Sequence, residues 1–167
     1  HNGIIENFRE LRAELTEKGI SLSTETDTEL IAHLVTLELD AGHDPAVSVQ
    51  HALKKLEGAF AVAFIFRGHD NLMIAARQGS PLAIGFGEGE MYLGSDAFAL
   101  APFTDTITYL EDGDWALLTR DGVAIRDASG AAVDRPVNPD MTDSRPTRSA
   151  TASGRSGEGL SDSNHRP

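Results

Sequence analysis

The sequence predicts an α+β domain on three observations. Apolar residues recur at helical spacing from Ile4 to Leu56, short strand-like runs follow from Ala59 to Arg126, and Gly, Pro and Asp turns separate those runs at hairpin distances. Ile4, Phe8, Leu11 and Leu15 mark a first helix that Gly19 stops. A short extended piece, Ile20 to Ser23, leads to Thr26-Asp-Thr-Glu29, whose spacing is that of a capping box. Leu30, Ile31, Leu34, Val35 and Glu38 then continue a second helix to Gly42. Pro45 suits a first helical turn, and Val49, Leu53 and Leu56 carry a third stripe to Gly58. Strands are expected at 59–66, 72–77, 82–86, 91–94, 106–110, 114–119 and 123–126. No internal repeat is visible.

Composition limits what such a domain can do. The 167 residues carry 14 Lys+Arg against 26 Asp+Glu, a formal net charge of -12. Nucleic acid is thereby excluded as a default partner, since backbone binding needs clustered cations to release counterions. The longest apolar run, Gly58 to Phe66, is far short of the roughly 20 residues a membrane-spanning helix needs. No signal peptide is recognisable, so a cytoplasmic protein without a membrane partner is expected. With no cysteine in the chain, disulfides and thiolate metal sites are impossible. Residues 138–167 hold only Met141 and Leu160 as large apolar side chains and are expected to form a disordered polar tail, leaving 1–137 as the folded part.

Few residues carry recognisable chemistry. Asn2-Gly3 reads by spacing as a tight turn. An Asn amide and a Gly backbone N–H can also converge on one oxygen and stabilise the oxyanion of an acyl-transfer intermediate. Asp27 stands where a helix start favours a carboxylate, and a carboxylate there could equally hold a substrate ammonium. The six His residues show neither H-x-H nor H-E-x-x-H spacing, so no metal site is expected, and His33 is placed beside the apolar face of the second helix. Gly85-Phe-Gly-Glu-Gly-Glu90 lacks phosphate-loop spacing and reads as a hairpin turn, as does Asp112-Gly-Asp114. Ser80-Pro81 and Ser95-Asp96 offer hydroxyls and an acid without an evident base.

An ordered set of motifs goes further. His1-Asn-Gly-Ile-Ile-Glu-Asn7, Glu25-Thr-Asp-Thr-Glu29 with Ile31-Ala-His-Leu34, Leu56-Glu-Gly-Ala-Phe-Ala-Val62, Ala76-Arg-Gln-Gly-Ser-Pro-Leu82, Gly94-Ser-Asp96 and Leu110-Glu-Asp-Gly-Asp114 run in sequence from residue 1 to about 137. Together they resemble the glutaminase domain of the glutamine:fructose-6-phosphate aminotransferases, an amino-sugar branch of the class II glutamine amidotransferases. The resemblance implies an N-terminal-nucleophile hydrolase fold, an αββα sandwich of antiparallel sheets that is incomplete in this chain. It implies a terminal Cys that attacks the glutamine side-chain amide, forms a glutamyl thioester and frees ammonia for fructose 6-phosphate, giving glucosamine 6-phosphate. By motif, Asn2 and Gly3 become the catalytic oxyanion donors, and Gly3 and Asp27 the glutamine-binding residues, with no metal and no cofactor. Glutamine as substrate, a sugar-isomerising domain as partner and a homo-oligomeric parent are implied too.

Where the family has its nucleophile, this chain has no cysteine, and the Arg-Trp-containing substrate loop is absent. The chain is therefore expected to be the later part of a glutaminase domain and inactive alone. Two other readings stand beside this one: a non-catalytic binding module on the same scaffold, and another class II enzyme such as an amidophosphoribosyltransferase.

Overall fold

A computed structural model describes residues 1–138, so the expected polar tail lies outside the described residues apart from Asn138. The elements in order are β1 (Asn2–Ile5), α1 (Phe8–Glu17), α2 (Asp27–Asp40), α3 (Pro45–Leu53), β2 (Gly58–Ile65), β3 (Met73–Gln78), β4 (Ala83–Phe86), β5 (Met91–Gly94), α4 (Ala97–Leu100), β6 (Ile107–Tyr109), β7 (Trp115–Thr119), β8 (Gly122–Arg126) and β9 (Val137–Asn138). One sheet runs β1-β2-β3-β7-β8 and the other β5-β4-β6-β9, and each strand pair within them is antiparallel.

Period-2 alternation in the central strands builds the layers. Phe60, Val62, Ile74, Ala76 and Trp115 pack with Leu11, Leu15, Leu30, Ile31, Leu34, Val35 and Val49 of the helices, forming the larger core. Their neighbours Ala61, Ala75, Ala116 and Leu118 face Ile84 of the second sheet and Leu82 and Leu110, which flank its strands β4 and β6. Three alanines at that face leave little bulk between the sheets, so the second sheet can approach closely. Leu100 of the short α4 packs on Ala83 and Ile107 at the outer side. The order helices, sheet, sheet, helix is the expected sandwich, with the outer helical layer reduced to α4 among the described residues.

All seven expected strands form, with ends shifted by a residue or so, and the departures have local causes. Ile4 belongs to no helix: Asn2–Ile5 pairs residue for residue with Ala61–Gly58, and Ile4 is 67% exposed on that strand. Helical spacing between Ile4 and Phe8 is coincidental, because long-range pairing decides so short a segment. The capping box does not form either. Thr26 gives no side-chain cap, and Glu29 turns back to accept from the Ser23 and Thr24 N–H groups, both at 2.7 Å. On α3, Asp44 is the cap, accepting from the Val47 N–H at 3.0 Å, and Leu56 lies beyond the helix end. The short α4 and β9 were unanticipated, since neither is long enough to show a period.

Candidate functional site

β1 is an edge strand whose register places Asn2 opposite Ala61 and Gly3 opposite Phe60. Asn2-Gly3 is therefore not a turn. Gly3 has φ +117°, and a Cβ on it would overlap the Ala59 carbonyl oxygen, so the approach of β1 to β2 requires glycine. Along an antiparallel edge, N–H groups alternate between partner strand and open side. The Glu6 N–H bonds to the Glu57 carbonyl at 2.8 Å, which turns the Ile5 N–H outward, and the same alternation assigns the Gly3 N–H to the open edge.

The N-terminus of α2 comes up against that edge. Asp27 Oδ2 accepts from the Ile5 N–H at 3.1 Å, and Oδ1 lies 3.5 Å from Nδ1 of His1. That Nδ1 is also 2.9 Å from the Thr28 hydroxyl. The imidazole is only 3% exposed, whereas the Asp27 side chain keeps 24% of its surface. The Asn2 amide has no hydrogen-bond partner among the described residues, and Asn2 lines a cleft of about 220 Å³ with His1, Ala61, Ala63, Pro81, Leu93 and Ser95. Asn2, Gly3 and Asp27 thus share one corner, two on the strand edge and one across from it.

Residues whose roles were not legible hold that corner in place. The Asn7 amide donates to the Lys55 carbonyl at 2.8 Å, and its oxygen accepts from the Glu57 N–H at 3.1 Å, which pins the end of β1 to the start of β2. Glu29 fixes the loop before α2. Hydrogen bonds from the Thr24 hydroxyl and the Ser23 and Thr24 N–H groups hold its carboxyl down at about 2. Arg77 donates to the Leu110 carbonyl at 2.8 Å and pairs with Asp112, which also accepts from the Gly79 N–H at 3.0 Å and so orders the turn leading to Pro81. These contacts depress the Asp112 pKa, the Gly79 N–H contributing most.

The remaining candidates separate from the corner. Asp96 caps α4 through the Ala99 N–H at 2.9 Å, a structural role, and Ser95 hydrogen-bonds to it at 3.3 Å. Gly85 to Glu90 make the expected β4–β5 hairpin, closed by the Gly87 N–H on the Glu90 carbonyl at 3.0 Å. Asp114, read as a turn residue, is 1% exposed and takes a two-point pair from Arg135 at 2.7 and 2.8 Å. This bonding raises the Arg135 pKa. A cavity of about 380 Å³ beside Lys54, Phe60, Arg77, Gln78 and Trp115 has none of the three corner residues in its lining. No helix among the described residues is long and apolar enough to cross a membrane.

Comparison with known proteins defines the class. The family model described as "Glutamine amidotransferase domain" matches residues 1–102, and the chain belongs to that family. Among its curated relatives is the glutamine--fructose-6-phosphate aminotransferase [isomerizing] of Brucella abortus biovar 1, 64% identical over 137 residues, which are 82% of this chain and 23% of that protein. The enzyme of the same name from Mesorhizobium japonicum is 60% identical over 135 residues, 81% of this chain and 22% of that one. The chain thus spans under a quarter of the length of these relatives. Of solved structures, the glutamine phosphoribosylpyrophosphate amidotransferase from B. subtilis, complexed with ADP and GMP, superposes with a TM-score of 0.63 at 28% identity, covering 78% of this chain and 29% of that one. A second, titled as the allosteric regulatory enzyme of purine biosynthesis, has a TM-score of 0.62 at 27% identity, covering 78% and 28%.

Proposed function

We propose that this chain supplies the oxyanion and ammonium-binding corner of a glutaminase site in a glutamine:fructose-6-phosphate aminotransferase. One observation carries the reading: the unpartnered Asn2 amide and the outward Gly3 N–H lie on the strand edge that Asp27 abuts. In this scheme a thiolate adds to the side-chain carbonyl carbon of glutamine. Negative charge develops on the carbonyl oxygen, where the Asn2 amide and the Gly3 N–H donate to it. The C–N bond then breaks with protonation of nitrogen, ammonia leaves, and water cleaves the thioester to glutamate. Asp27 accepts a hydrogen bond from the substrate's α-ammonium through the oxygen not bonded to Ile5, which fixes the distance between that group and the reacting carbonyl. The sequence holds no cysteine, so the thiol comes from outside it and the isolated chain does not hydrolyse glutamine.

Identity of 64% to an aminosugar-forming enzyme against 28% to the phosphoribosyl branch favours fructose 6-phosphate as ammonia acceptor. A sugar-isomerising domain as partner, a homo-oligomeric parent and a cytoplasmic location belong to the same proposal. The test is a chimera in which residues 1–137 replace the matching segment of the Brucella enzyme. Glutamine-dependent glucosamine 6-phosphate synthesis is expected, falling about 10²–10³-fold with Asn2→Ala. A folded chimera without that synthesis, or an Asn2→Ala form at full rate, overturns the proposal.

A further inference from the structure

The α2–α3 hairpin brings together three metal-ligating side chains that no sequence motif connects. Glu38 comes from the last turn of α2, His43 from the connecting loop and His51 from the last turn of α3. Glu38 Oε2 lies 2.7 Å from Nδ1 of His51 and 3.6 Å from Nε2 of His43. One ligand atom from each residue falls within 4.8 Å of the others, and the two imidazoles meet edge to face at 5.1 Å between centroids. Their side chains are 42% and 40% exposed, so the cluster is open to solvent, while Glu38 is 24% exposed and anchored from both sides.

We propose that Glu38, His43 and His51 bind one borderline-soft divalent transition metal of the zinc class, clasping the α2–α3 hairpin. Two nitrogens and one carboxylate select such an ion over calcium or magnesium, which take oxygen ligands. A tetrahedral zinc ion with bonds of about 2.0–2.1 Å needs ligand atoms roughly 3.3–3.4 Å apart. The Glu38–His43 spacing of 3.6 Å is close to that, and the 2.7 Å Glu38–His51 contact is a hydrogen bond that opens when metal takes the place of the bridging proton. Neutral His51 then carries its proton on the ring nitrogen facing away, and water completes the fourth position. Glu38 meets both imidazoles through the one oxygen Oε2, and neither contact involves Lys55. Lys55 itself is engaged by Glu14 at 2.7 Å and is not drawn into the cluster. The site sits toward the opposite end of α2 from Asp27, about 17 Å away along the helix, so its role is structural.

The test titrates zinc alone into the full chain by calorimetry and follows thermal unfolding, with cobalt as a visible probe of tetrahedral nitrogen and oxygen coordination. One saturable site is expected. Zinc at 100 times its dissociation constant should shift the unfolding equilibrium about 100-fold, and a chelator should reverse the shift. His43→Gln, His51→Gln and Glu38→Gln should each weaken binding by at least about tenfold, while His33→Gln and His69→Gln leave it unchanged. The absence of saturable binding by the folded chain, or undiminished binding by the His43→Gln/His51→Gln double variant with native circular dichroism, overturns the proposal.

Discussion

Asp114, in the turn entering β7, is 1% exposed and gives both oxygens to Arg135, one of them also to the Glu111 N–H at 2.7 Å. Asp27, at the start of α2, stays 24% exposed, spends one oxygen on the Ile5 N–H and turns the other toward His1. Both carboxylates lie against strands, yet only one of the two regions is saturated. A buried carboxylate needs every lone pair answered, so the Asp114 region behaves as a structural fastener between the β6–β7 turn and the segment before β9. The Asp27 corner keeps hydrogen-bonding capacity in reserve, which suits the ligand-binding role proposed for it.

Removing a partner from each region tests that contrast. Arg135→Ala leaves Asp114 buried without its cation and should give the largest loss of stability in denaturant unfolding. A loss below 1 kcal/mol, on the order of a surface pair, would erase the distinction. Gly3→Ala comes next, at about 2–3 kcal/mol, because both φ +117° and the Ala59 carbonyl oppose a Cβ. Hydrogen exchange should show the loss first at the β1–β2 pairing. Asp27→Asn should cost less than about 1 kcal/mol, since an Asn oxygen can still accept from Ile5. In the chimera, however, it should raise the KM for glutamine, and equal losses in stability and binding would make Asp27 a fastener like Asp114.

The smallest effect belongs to the loop that positions α2. Glu29 has its carboxyl lowered from 4.5 to about 2 in the folded protein, so its contribution is complete above 4.5 and fades as pH falls toward 2. Acid unfolding followed by NMR of Thr24 should show that loop loosening in this window, and Glu29→Gln should flatten the dependence.

Elements with a sustained period were legible in the residues. The helical stripes through Leu11 and Leu15, Leu30 to Val35, and Val49 to Leu53 all face one core, and the alternating residues of β2, β3 and β7 divide between two faces as their spacing requires. Short segments were not. Asn2–Ile5 is four residues long and takes its conformation from β2, more than 50 positions away, while Val137–Asn138 depends in the same way on Ile107 and Thr108. Asn2, Gly3 and Asp27 could be picked out only as an ordered set of family motifs, because each residue alone suits a turn or a helix start equally well.

The sequence by itself determined the α+β class, the lack of a cysteine in these 167 residues and the membership of residues in the helical and strand cores. Those follow from composition and period, which are local. Only the tertiary structure decided which way Asp27 points, that Asp114 is buried against Arg135, and that Glu38, His43 and His51 share one corner. Hydrogen-bond direction and charge pairing depend on which distant backbone groups arrive beside a side chain, and that is settled by packing.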